Sequence, residues 1–464
     1  MARRRTGEVT KDELIGEIVD ELLAISRGAP AAENSLWSMP PSIALEDGRS
    51  LLINDRIELL LTSYQRILEQ NDAGIARSYS RKEFGKEVAK AFGAVLASID
   101  LDDDRAENIR TVKAAVGHSL AETTAQSQPA RDLVFGCDLF AKPVAAIEIG
   151  PVRIEDRSEW LDRMAALAAF SPVAARRIAR RWSGLPIRRR KGSVDSMWER
   201  TALDVIGECR TVCTVSVRSM SPRMAEARAS TAARMSLAAV SLLWQKPSDA
   251  LRGIGLAYDH GRKHHRETIV LVDGKFGASN HTLARLPHGP MIEAARWKDH
   301  YEHYTWFFDV IGETFSEYLH VASSSRPRMM NALFLSLWWF QQACVEHSPL
   351  LASVKHAAAI EALAGGQEKQ GIVDLLTARL SFDRKRQTFK DGTTLDQFIE
   401  QLYGVARSQT LHGTNVRHAE DWSQLAARSE HIARLALRSV THWLSKHPGI
   451  DDPAALRTAD GPAE

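Results

Sequence analysis

Apolar positions recur at helical spacing through the first 130 residues. Leu14, Ile18, Leu22 and Leu23 form one stripe, preceded by Thr10 and Glu13 at the spacing of a capping box. The same pattern predicts a helix over about 55–70 and another from Ser80, with Glu83 three residues on. A polar stretch over 121–130 closes this part, so 1–130 is expected to be a helical N-terminal region.

From residue 131 to 155 the period shifts. LVFGCDLF and AAIEIGPVRIE carry β-type residues punctuated by Gly and Pro, and they read as strands. Further strand candidates lie at 213–217, 254–258 and 268–272, with one long Ala-rich helix over about 224–244 after the first. Residues 131–289 are therefore expected to form a mixed α+β domain.

Helical patterning returns at about residue 290, with 290–330 as a connector and 331–447 as a helical domain. Ser348 and Pro349 open a helix as N-cap and first-turn proline, and Gly365–Gly366 close it. A shorter helix is predicted over 372–382. Thr394 and Gln397 make a capping box for the next, in which Leu395, Phe398, Ile399, Leu402 and Val405 keep helical spacing until Gly413. A last helix over 421–446 turns Trp422, Leu425, Ile432, Ala436, Val440 and Trp443 inward, and 448–464 reads as a frayed tail. The fold class expected is mainly α with a central mixed α+β region and a C-terminal helical bundle.

Composition narrows the chemistry. The chain has 464 residues, of which 44% are hydrophobic and 25% charged, the profile of a globular protein and not of a disordered or collagen-like one. The basic N-terminus has no apolar signal core. The most apolar stretch, 329–345, is interrupted by Gln341 and Gln342 and is too short for a bilayer, so a cytoplasmic protein with no membrane partner is expected. Cys137, Cys209, Cys213 and Cys344 lack the spacing of a disulfide framework or a zinc site and read as free thiols. No phosphate-cradling loop, dinucleotide turn, HExxH or nucleophile elbow is present, and neither metal nor cofactor is expected.

The segment LYGVARSQTLHGT ends an amphipathic helix with Arg407, the polar Ser408, three more residues and then His412–Gly413. Metal-free RNA cleavage needs a base for the ribose 2′-hydroxyl, an acid for the leaving oxygen and positive charge at the phosphate. Histidine serves as acid or base near neutral pH, and arginine offers a permanently charged fork that matches phosphate oxygens. Five positions on an ideal α-helix place the two residues about 140° apart, so the helix must end near His412, which Gly413 permits.

This segment resembles the HEPN superfamily (higher eukaryote and prokaryote nucleotide-binding), specifically the Apea-like HEPN domains of prokaryotic defence proteins. The resemblance rests on Arg407, Ser408 and His412 at the end of a bundle helix, on Tyr403 upstream, on Gly413, and on SVKHAAAIEALAGG with Glu361. It covers about 331–447. At the polar position many active members carry Asn, Asp or His where this chain has Ser408. The resemblance implies a metal-independent endoribonuclease of a defence or toxin system, with RNA as substrate and Arg407, Ser408 and His412 catalytic. It also implies a homodimer that joins two motifs in one cleft, and an antitoxin or trigger protein as a further partner. Two alternatives stay open: a non-catalytic HEPN module that dimerises or binds a nucleotide or partner, and a function located in the middle domain.

Net charge is +2, from 60 Lys and Arg against 58 Asp and Glu, which excludes an overall basic coat but not a basic cleft. One run holds Arg176, Arg177, Arg180, Arg181, Arg188, Arg189, Arg190 and Lys191 with no acid. It is a candidate RNA-backbone contact with Trp182 for stacking, or alternatively a solvated helix face. Arg296, His300 and His303 share a helix face, but their aromatic neighbours point to packing.

Overall fold

Side-chain caps set where the helices begin. In the computed structural model Thr10 Oγ1 accepts from Glu13 N at 3.2 Å while Thr10 N donates to Glu13 Oε2 at 2.7 Å, opening α1 (Lys11–Ser26). The structure describes residues 9–28, 41–45, 47–125, 129–188, 192–257, 259, 289–320 and 323–459, and the backbone of 265–272 and 275–283. It is mainly helical with small antiparallel sheets, and it divides into two compact units.

The first unit is Met1–Ala130 with Arg218–Ala227. After α1 come β1 (Ser42–Ala44), β2 (Ser50–Leu52), α2 (Asp55–Asn71), α3 (Ala73–Ser78), α4 (Arg81–Leu96) and α5 (Arg105–Ala125). Asn54 and Ser80 cap α2 and α4. The inward stripes meet in one core that includes Ile15, Ile18, Ile57, Phe84, Phe92 and Val112, with Tyr64 edge-on to Phe92 at 5.1 Å. The short β1–β2 hairpin, with Ile43 buried, is an addition to the purely helical expectation.

The second unit, Arg131–Val217 with Arg228–Glu464, carries the sheet and the C-terminal helices. Its strands are β3 (Arg131–Asp138), β4 (Ile147–Ile149), β5 (Val152–Asp156), β6 (Thr211–Val217) and β7 (Gly255–Leu256), in the order β4-β5-β6-β3-β7, all antiparallel. The strand β6, TVCTVSV, is buried along nearly its whole length, as a β-branched run at a sheet centre should be. Between β5 and β6 lie α6 (Arg157–Ala166), α7 (Pro172–Trp182) and α8 (Val194–Ile206), packed on the sheet through Trp160, Ile178 and Ile206. Next come α9 (Pro222–Ser241) and α10 (Pro247–Leu251), and then the backbone hairpin β8 (His265–Val272) and β9 (Lys275–Leu283).

The helical part comprises α11 (Ala294–His303), α12 (Thr305–Leu319), α13 (Pro327–Cys344), α14 (Pro349–Leu363), α15 (Glu368–Leu380), α16 (Leu395–Ile399) and α17 (Ser423–Lys446). Helix α14 buries residues around most of its circumference and is enclosed by α13, α15, α17 and the segment after α16. At the turn before β5, a Cβ on Gly150 (φ +57) would stand 2.4 Å from the carbonyl oxygen of Gly312, so these two glycines let α12 touch the sheet backbone to backbone.

Within 290–330, expected as a helical connector, α12 packs on α13 and α17. The tail is not frayed over 448–459. Pro453–Arg457 forms a 3₁₀ turn, Leu456 is fully buried, and Arg379 Nε donates to Leu456 O at 3.1 Å. The four cysteines are free thiols, and no described helix is long and apolar enough to cross a membrane.

Candidate functional site

The motif residues stand on the helix that follows Thr394. Its cap is the reciprocal box foreseen from the sequence: Thr394 N donates to Gln397 Oε1 at 2.9 Å and Thr394 Oγ1 accepts from Gln397 N at 3.3 Å. After α16 the spiral widens into a π-helix over Glu400–Gln409, with Leu402, Tyr403 and Ala406 buried. Bonding from i to i+5 replaces the α-helical pattern over the stretch that carries Arg407. The helix ends at Leu411. His412 N still donates to Ser408 O at 3.0 Å, and Gly413 takes φ +71, the left-handed conformation that only glycine adopts without strain.

Three motif residues meet around one carboxylate. Glu361, on α14, accepts from Tyr403 Oη at 3.0 Å through one oxygen and from Arg407 Nη2 at 2.8 Å through the other. The Arg407 guanidinium also lies over the Tyr403 ring, 4.7 Å from its centroid, as an i, i+4 pair on one helix allows. The side chains are 25% exposed for Arg407 and 13% for Glu361, so this ion pair is only partly screened by water. The Arg407 Nε–H is buried without a partner. Burial, then the hydrogen bond to Glu361, pushes the Tyr403 phenol up to about 12, which keeps it a donor at working pH.

His412 is exposed on the turn after the helix, and its imidazole makes no hydrogen bond or ion pair among the described residues. Ser408 is half-buried. The structure thus joins Arg407, Tyr403 and Glu361, and leaves His412 free at the helix end.

Five residues before Glu361 on α14, His356 is 2% exposed, with its Nδ1 unpartnered and its ring packed near Phe340. Burial drives its pKa down to about 3, so the ring is neutral. Nothing in its sequence context marks it apart from the apolar residues around it.

The arginine run divides. Arg177 pairs with Glu199 at 2.8 Å, and Arg176 and Arg180 donate to the carbonyls of Pro172 and Pro186. Arg181 and Arg188 have no side-chain partner among the described residues. Arg189, Arg190 and Lys191 lie outside the described residues. His300 and His303 pack against Tyr304 on α11, and no described group of His, Cys, Asp and Glu could hold a metal.

No family model, curated protein or solved structure matches the chain.

Proposed function

We propose that the C-terminal helices form a HEPN-type domain and that the protein is a metal-independent endoribonuclease of a prokaryotic defence or toxin system. The observation that carries this reading is an exposed, uncommitted imidazole, His412, at the end of the helix that fixes Arg407. The π-helical stretch adds support, because such bulges concentrate at functional sites. In the proposed reaction an imidazole takes the proton of a ribose 2′-hydroxyl and the freed oxygen bonds to phosphorus. The bond to the 5′-oxygen breaks, and that oxygen is protonated by the acid of the site. A cyclic phosphate and a 5′-hydroxyl result. Arg407 would neutralise charge on the phosphate, and Ser408 lines the same turn. A second copy of the chain would bring a second His412 to the cleft as the complementary acid or base.

A second reading is favoured by one specific observation: Glu361 already neutralises Arg407. On that reading the motif arginine braces α14 against the motif helix, and the domain serves assembly or partner binding. RNA incubated with the full chain in EDTA separates the two. The nuclease reading expects cyclic-phosphate ends that vanish in both Arg407→Ala and His412→Ala, with His412→Ala unchanged in melting temperature. Absence of cutting by the wild type, or cutting that survives both substitutions, refutes it.

A further inference from the structure

Away from the motif helix, a cavity of about 740 Å³ opens between α7, the segment after it and α8, within the range of small-molecule sites. The helix α7 buries Ala174, Ala175 and Ile178, so its arginines fall on the opposite side. Two arginines of the wall are committed to building it. Arg157 lies over the Trp182 ring at 5.1 Å and donates to the carbonyls of Trp182 and Cys209, both at 3.2 Å. Arg177 ties Glu199 of α8 to the carbonyl of Arg188, each at 2.8 Å.

The side chains of the other three arginines of the wall, Arg181, Arg188 and Arg200, have no hydrogen-bond or ion-pair partner among the described residues. Two carboxylates of the same wall, Asp204 and Glu208, are likewise uncommitted. Opposite charges that share a cavity without pairing leave donors and acceptors open to a ligand. Guanidinium forks suit phosphate oxygens, and carboxylates accept from ribose hydroxyls.

We propose that this cavity is a ribonucleotide-binding site, with the phosphates on Arg181, Arg188 and Arg200 and the ribose on Asp204 or Glu208. The proposal does not depend on cleavage at His412. The ligand is either a free nucleotide or the 5′-phosphorylated end of an RNA strand, since both present the same chemistry.

Calorimetric titration of the full chain tests it, with ADP, GDP, adenosine, inorganic phosphate and a 5′-phosphorylated pentaribonucleotide as probes. Anionic phospholipid vesicles are included because Met197 and Trp198 are exposed on α8. ADP or GDP is expected to bind saturably, at least about tenfold more tightly than adenosine or phosphate alone. Arg181→Ala and Arg200→Ala should each weaken binding about tenfold, as loss of one charge-assisted contact does. Arg407→Ala should leave ADP binding unchanged. Tighter binding of the pentaribonucleotide than of ADP assigns the site to strand ends, and the reverse assigns it to free nucleotides. No saturable nucleotide binding, phosphate binding as tight as ADP, vesicle binding without nucleotide binding, or loss of nucleotide binding in Arg407→Ala would overturn the proposal.

Discussion

The second unit holds arginines in two different states. Arg407 is braced: its charge is met by Glu361, its face by Tyr403, and its exposure is low. Arg181 and Arg200 are open, with no partner among the described residues, in the wall of a cavity. A braced arginine contributes to stability and must share its donors before it can serve a phosphate. An open arginine contributes little to stability and has its donors ready. The residue most conspicuous in the sequence is thus the more tightly held of the two kinds.

Arg407→Lys keeps the charge but loses the planar fork, so the proposed RNA cutting should fall by about tenfold or more, read from cleavage rates in EDTA. Equal rates would mean that the fork does not touch phosphate. Glu361→Gln strands a partly buried guanidinium and should lower stability by about 1–3 kcal/mol in urea unfolding, provided the transition is two-state.

A third test concerns His356, buried on the same helix as Glu361. The unfolded chain protonates His356 near its ordinary pKa of 6.5, whereas the folded chain holds it near 3. Between those values the unfolded state binds more protons, so stability falls as pH drops below about 6.5, by up to about 1.4 kcal/mol per unit from this group. Unfolding of His356→Phe at pH 7, 6 and 5 should show a shallower dependence, and an unaltered slope would remove His356 from the account. The smallest effect is expected for Arg181→Ala and Arg200→Ala, which should change stability by less than about 0.5 kcal/mol because no partner is lost. A larger loss would show that these arginines are braced after all.

What the sequence disclosed was local. Thr10 with Glu13, Thr394 with Gln397, Ser348 with Pro349, and Gly413 all act within one turn of themselves, and the caps and stop stand where spacing placed them. The buried run of β6 was legible for the same reason. The packed residues 448–459 were not, because Leu456 is held by Arg379, far along the chain. The three-residue strands β1 and β2 carry too few alternations to register. Of the candidate site, Tyr403 and Arg407 at i, i+4 could be read as neighbours. Glu361 as the carboxylate joining them depends on the packing of α14 against the motif helix. The widening to a π-helix over Glu400–Gln409 has no signal in the residue pattern.

Chemical action of His412 at the end of a braced helix is what the proposed function requires. Its most direct test is the rate at which the wild type and His412→Ala cut one labelled RNA in EDTA, with melting temperatures measured on the same preparations. A loss of about a hundredfold or more with no change in melting temperature is expected, since the imidazole is exposed and makes no hydrogen bond or ion pair among the described residues. Equal cutting by the two proteins would contradict it.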